Sequence, residues 1–254
     1  MLPAGAPPIA IRRALEEGWA AFRWAPGALM QFTLLLGGIN LAFQLLIRWS
    51  TQAQADASYS QPWPPLLLLA LQLLAWLGYW LSNLWLLVGL LRGAELALER
   101  HRPALARLLR LDWASLLRAG GTAALVLLLL TLILWLAEAS SWVLALLQPM
   151  LADLPRIAGL AAGVYLVTDQ VLSLPIAVLG KLKPLQAVRQ GRAAIDPHWL
   201  QALGLVLVLA LLVLAGFLLL VVGLVAALPL AACTLVAAYR QLFQLDWEGN
   251  RLAR

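Results

Sequence analysis

Along this chain, long apolar stretches almost free of ionisable residues alternate with short segments that hold nearly all of the Arg and Lys. Six stretches, near 27–48, 65–91, 119–137, 157–180, 199–218 and 221–241, approach the ~20 residues that a helix needs to cross ~30 Å of hydrocarbon. Their apolar residues run continuously instead of alternating, so helices are predicted and barrel strands are not. Three of the intervening segments are amphipathic at helical spacing. Residues 9–22 place Ile11, Leu15, Trp19 and Phe22 on one face. Residues 104–117 set Leu105, Leu108, Leu109 and Leu116 against Arg107 and Arg110. Residues 185–195 follow Pro184, a favourable first helical residue. Each such segment is expected to lie in the headgroup plane before the chain turns inward.

The pattern predicts an all-α polytopic membrane protein, with six transmembrane helices in three hairpins forming one membrane domain. Residues 1–25 form a cytoplasmic interfacial lead-in, 26–92 the first hairpin and 93–118 an amphipathic segment. Residues 119–180 form the second hairpin, 181–198 another amphipathic segment, 199–241 the third hairpin and 242–254 a tail. Residues 49–64 read as a polar, turn-rich outside loop, and 138–155 as a helix extension or an interfacial segment. Two lead-ins resemble each other: Ala14-Leu15-Glu16-Glu17-Gly18-Trp19-Ala20-Ala21-Phe22 parallels Ala187-Val188-Arg189-Gln190-Gly191-Arg192-Ala193-Ala194-Ile195. A duplicated unit and shared interfacial constraints both account for this.

Composition strengthens the membrane reading. Hydrophobic residues are 63% of the 254, against roughly 45–50% in a soluble domain. The net charge of +6 raises the question of nucleic acid, but its distribution answers against it. Of the 18 Lys and Arg, 16 fall in segments on one side of an alternating six-span topology, leaving only Arg48 and Arg156 elsewhere. By the positive-inside rule both termini are cytoplasmic. Arg12, Arg13, Arg107, Arg110, Arg189 and Arg192 are then candidate contacts for anionic lipid headgroups. Eight of the twelve tryptophans (Trp19, Trp24, Trp49, Trp63, Trp113, Trp142, Trp199 and Trp247) fall near predicted boundaries, as an aromatic belt does. The first apolar run follows three arginines and is too long for a signal-peptide core, so it is read as a retained span.

Catalytic and metal chemistry find little support. Cys233 is the single cysteine, and His101 and His198 lie far apart, so neither an intramolecular disulfide nor a His/Cys zinc site is expected. No Gly-x-Ser-x-Gly elbow, phosphate loop, HExxH pair or close carboxylate pair occurs, and no cofactor is implied. The sharpest residue is Asp169, about midway between Arg156 and Lys181. A carboxylate near the midplane costs ~2.5–3.5 kcal/mol on insertion scales. Tyr165 and Ser173 lie four residues to either side of it, on one face if the helix is continuous. These three either bind a proton or substrate or lock helices together. Polar seams recur in Thr33, Gly37, Asn40 and Gln44; in Gln72, Trp76, Tyr79 and Asn83; and in Thr131, Trp135, Glu138 and Trp142. Such seams should face the bundle interior, either as packing or as the wall of a polar cavity. Gly159-xxx-Gly163 and Ala227-xxx-Ala231 permit close helix approach, and Pro175 and Pro229 are candidate kinks.

Several short motifs carry a family resemblance. They are Ala14-Leu15-x-x-Gly18-Trp19-x-x-Phe22, Leu174-Pro175-Ile176, Pro184-Leu185-x-Ala187-Val188, and Gly223-x(5)-Pro229-x(8)-Ala238-Tyr239-x-x-Leu242. With these the chain resembles an uncharacterised bacterial six-span inner-membrane family similar to YciC and to the membrane domain of glycerophosphodiester phosphodiesterases. The resemblance implies a six-helix inner-membrane bundle without an established activity; the soluble phosphodiesterase domain has no counterpart in this sequence. The functional expectation is a non-catalytic integral membrane module that binds lipid or partner membrane proteins, itself included, in a scaffold or envelope-maintenance role. The alternative is a small transporter or channel-like protein with its site at Asp169.

Overall fold

In a computed structural model, which describes residues 9–60 and 65–243, the chain is all-helical and no strand occurs among the described residues. The helices are α1 (Ile11–Trp24), α2 (Pro26–Ser60), α3 (Pro65–Leu98), α4 (Leu105–Leu108) and α5 (Trp113–Leu147). They continue with α6 (Asp153–Asp169), α7 (Ser173–Val178), α8 (Pro184–Ile195), α9 (Trp199–Leu218) and α10 (Leu220–Phe243). Five stretches are long and apolar enough to cross a bilayer: Pro26–Gln54, Leu66–Leu98, Trp113–Leu146, Pro184–Leu218 and Val222–Phe243. The chain is therefore an integral membrane protein.

The stretch expected as a single span over 157–180 is two helices. α6 ends at Asp169, a turn covers 170–172, and α7 starts at Ser173. Pro175 accounts for the break: it has no N–H to donate to the carbonyl four residues back, and its ring crowds that turn. The side chain and backbone of Ser173 both bond the Gln170 carbonyl instead, at 2.7 and 3.0 Å. α10, by contrast, stays helical across Pro229. Two other boundaries move. Residues 49–60 continue α2 as helix, and α5 runs on through Leu147 before a short 3₁₀ turn at Pro149–Leu151. The amphipathic segment 104–117 divides into α4 and the first turn of α5, where Asp112 caps the new helix by accepting from the backbone N–H groups of Ala114 and Ser115. Trp63, Trp247, Arg251 and Arg254 lie outside the described residues, as does the tail from 244 onward.

Packing runs between neighbours in sequence: α2 lies along α3, α5 along α6, and α9 along α10. Small residues set the spacing. A Cβ on Gly159 of α6 would come within 2.3 Å of the Ala137 Cβ of α5, which is the close approach expected of the Gly159–Gly163 pair. The short helices join these pairs. α4 packs on α2 and α3, α8 on α5 and α7, and α1 on α10. Each lead-in thus seats on the pair before it, and α1 closes the sequence by seating on the last helix. There the backbone N–H of Ala10 donates to Gln241 Oε1 at 3.2 Å.

The face that α1 buries differs from the expected one. Ala14, Gly18, Ala21 and Phe22 are buried, whereas Trp19 is exposed. Gly18 lies on α10 so closely that a Cβ would sit 2.7 Å from the backbone of Thr234. α8 buries Ala187, Gly191, Ala194 and Ile195, the positions aligned with those four in the sequence parallel. The parallel therefore marks the same four buried positions in the two helices. The two buried cores gather where the short helices meet α3, α7 and α10. The outer parts of α2, α3, α5 and α9 expose leucines that a bilayer would cover.

Candidate functional site

Two polar regions stand out from the apolar frame. The first is the α6–α7 break. Asp169 is 2% exposed, and its Oδ2 accepts from Gln170 Nε2 at 2.8 Å. Thr168 Oγ1, Asp169 Oδ1 and Gln170 Oε1 are buried with no hydrogen-bond partner among the described residues. Gly191 of α8 covers the turn: a Cβ there would lie 3.5 Å from Gln170 Oε1 and from Ser173. The expected trio of Tyr165, Asp169 and Ser173 does not converge, because the helix that would align them stops at Asp169. Tyr165 instead donates to Asp196 Oδ1 at 2.8 Å and stacks on Trp199 with ring centroids 5.6 Å apart. Asp196 in turn faces Arg192 at 3.6 Å. The charged 181–198 segment therefore reaches within one helical turn of Asp169, and the carboxylate is not isolated in hydrocarbon.

The amides of the α2 and α3 seam bond one another, although Gly37, Gln44 and Trp76 are exposed instead of facing the interior as expected. Asn40 Nδ2 donates to Ser82 Oγ at 3.2 Å and Gln44 Nε2 to Asn40 Oδ1 at 2.8 Å. Further along, Gln54 Nε2 donates to Gln72 Oε1 at 2.9 Å, and Gln72 Nε2 to Thr51 Oγ1 at 3.2 Å. Asn83 bonds the Tyr79 carbonyl of its own helix, leaving the Tyr79 ring against Trp76 and Trp80. The α5 seam points the other way from expectation, with Trp135 and Trp142 66% and 70% exposed. Its Glu138 accepts two hydrogen bonds from the Arg156 guanidinium, at 2.8 and 3.0 Å, and one from Trp142. This fork clamps α5 to α6 and accounts for Arg156 lying away from the basic segments.

The second region is basic. Arg12 and Arg13 pair with Glu16 and Glu17 one turn along on the exposed face of α1, and Arg189 is exposed on α8. Arg107 and Arg110 line a cleft of about 300 Å³ between α3, α4 and the start of α5, together with Trp85, Arg92, Glu95 and Asp112. Arg92 pairs with Asp112 and donates to Ser115 Oγ at 2.9 Å. Burial pushes the Asp112 carboxyl upward. The hydrogen bonds from Arg92 and Ser115, with the Arg92 charge, outweigh it and hold the group below its ordinary value. Among the described residues, no group of three His, Cys, Asp or Glu is placed to hold a metal ion.

Sequence reasoning missed Arg92, Trp85, Gln170 and Gly191. Gln170 had a signal, as an amide beside a carboxylate in an apolar run. Arg92 and Asp112, twenty residues apart across a loop, had none. No known protein family, curated protein or solved structure matches the chain.

Proposed function

We propose that this protein is a non-catalytic membrane module of the bacterial inner membrane that binds anionic lipid at its basic, cytoplasmic layer. The observation that carries the reading is the closed amide seam of α2 and α3. Polar groups that could have walled a solute path bond one another instead, as hydrogen-bonded helix packing does. What remains uncommitted lies at the basic end, where the guanidiniums of Arg107 and Arg110 bond no described residue. On this reading the chain is a six-segment bundle in three hairpins, as the resemblance to YciC-like proteins implies, with the α6–α7 pair as the interrupted member and both termini cytoplasmic by the positive-inside rule. Partner membrane proteins, or a second copy, would dock through the same layer.

Protein purified in mild detergent should retain anionic phospholipid in preference to zwitterionic phospholipid when its bound lipid is analysed by native mass spectrometry. Recovery of lipid-free, partner-free monomer would count against the proposal. Orientation has its own check. In an otherwise cysteine-free background, Asp56→Cys should react with a membrane-impermeant thiol reagent added from outside the cell. Reaction only from the cytoplasmic side would overturn the topology.

The transporter reading draws on the break at Asp169, since discontinuous helices build many solute sites. Among the described residues this is the one break inside an apolar stretch expected to span, whereas transporters pair such breaks between halves.

A further inference from the structure

We infer that the cleft between α3, α4 and the start of α5 is a phospholipid site, with the headgroup phosphate held by Arg107 and Arg110 and the acyl stem descending along α3. The inference rests on the lipid-binding reading above and gives it a place and a chemistry. Charge marks the rim. Three guanidiniums (Arg92, Arg107, Arg110) and two carboxylates (Glu95, Asp112) line the cleft, a net positive balance. Asp112 is already engaged by Arg92. The guanidiniums of Arg107 and Arg110 bond no described residue, both residues being tied only through their backbone groups, so two planar donor forks remain for an anion with several oxygens.

The lower walls are apolar. Val88, Leu108 and Leu116 line them, and all three are buried. Trp85 lines the same cleft seven residues before Arg92, roughly 10 Å further along α3. Its indole Nε1 is buried and has no hydrogen-bond partner among the described residues. A buried N–H donor left unmade is costly, and the ester carbonyls of a diacyl lipid are the acceptors that lie beneath a phosphate. A charged rim over an apolar slot with one donor in its wall suits an amphiphile better than a soluble anion. The Arg92–Asp112–Ser115 network fixes the N-terminal turn of α5 against α3 and so holds the rim open at one width.

The test uses the full chain in detergent, titrated with mixed micelles of phosphatidylglycerol or phosphatidylcholine and, separately, with inorganic phosphate. Wild type should prefer phosphatidylglycerol. Arg107→Gln with Arg110→Gln should weaken that binding roughly tenfold or more, the loss expected for charge-assisted contacts to phosphate. Trp85→Phe, which keeps the ring and deletes the donor, should weaken phosphatidylglycerol binding severalfold. Arg23→Gln, which removes one positive charge away from the cleft, should leave it unchanged. If wild type does not distinguish the two lipids, both the lipid-binding reading and this site fail. If it does and the double variant binds as wild type does, only this site fails. Inorganic phosphate binding as tightly as phosphatidylglycerol would overturn the lipid assignment.

Discussion

Replacing Gly18 with alanine should destabilise the protein by about 1–3 kcal/mol, the cost of forcing a methyl into a filled contact. This runs against helix propensity, which favours alanine over glycine by about 1 kcal/mol. The reason is the neighbour. The new Cβ would lie 2.6–2.7 Å from Thr234 Oγ1, Cα and N, and a helix backbone cannot swing aside as a side-chain tip can. α1 would have to lift from α10 and carry Ala14, Ala21 and Phe22 out of their contacts. Gly18→Leu should detach α1 altogether. Thermal unfolding in detergent and protease cleavage within residues 11–24 would register both effects. Gly37→Ala and Gly38→Ala are the controls, because nothing stands within 4 Å of a Cβ at either position. They should be neutral or stabilising. Equal melting temperatures for Gly18→Ala and the controls would show that α1 does not dock on α10 as described.

At the α6–α7 break, Asp169→Asn and Asp169→Leu should part company. Asparagine keeps an oxygen for Gln170 Nε2, which now bonds Asp169 Oδ2, and it removes a buried charge. Its stability should equal or exceed that of wild type. Leucine leaves the Gln170 amide without its partner in a site that is buried all round, at a cost of about 1–3 kcal/mol before any crowding is counted. Melting temperatures of the purified variants decide the matter. An asparagine variant as unstable as the leucine variant would mean that Asp169 works as a charge and not as an acceptor. If proteoliposomes also lost a wild-type, pH-driven flux on Asp169→Asn, the transporter reading would displace the binding one.

The long helices were legible in the sequence because a span of hydrocarbon leaves a simple record: about twenty apolar residues with charges pushed to the ends. The break at 170–172 was legible only in part, as a candidate kink at Pro175. Hydropathy averages over Thr168, Asp169 and Gln170, while the event that stops the helix is the missing N–H of Pro175. The buried face of α1 was misread for another reason. Ile11, Leu15 and Trp19 dominate an amphipathic pattern by size, yet close helix pairs are built from small residues. Ala14, Gly18 and Ala21, at intervals of four and three, were the better signal. The α5 seam was drawn from spacing alone. Glu138 had its partner in Arg156, across a turn that spacing cannot see. At the basic cleft the arginines of α4 were visible as a group, but the indole of Trp85 came to them only through the fold.

The seating of α1 on α10 also sets an order of events during synthesis. Ala10 and Gln241, joined by a hydrogen bond, are 231 residues apart in sequence, so α1 leaves the ribosome long before the surface it packs on exists. Until α10 is inserted, α1 has mainly α3 to rest on and Gly18 lacks the Thr234 backbone it packs against, and contacts of such separation form late. A nascent chain truncated before residue 220 should therefore hold α1 loosely, open to protease and to any chaperone at the membrane surface. α1 would seat fully only with the final helix, which makes α10 the keystone of assembly as well as a span.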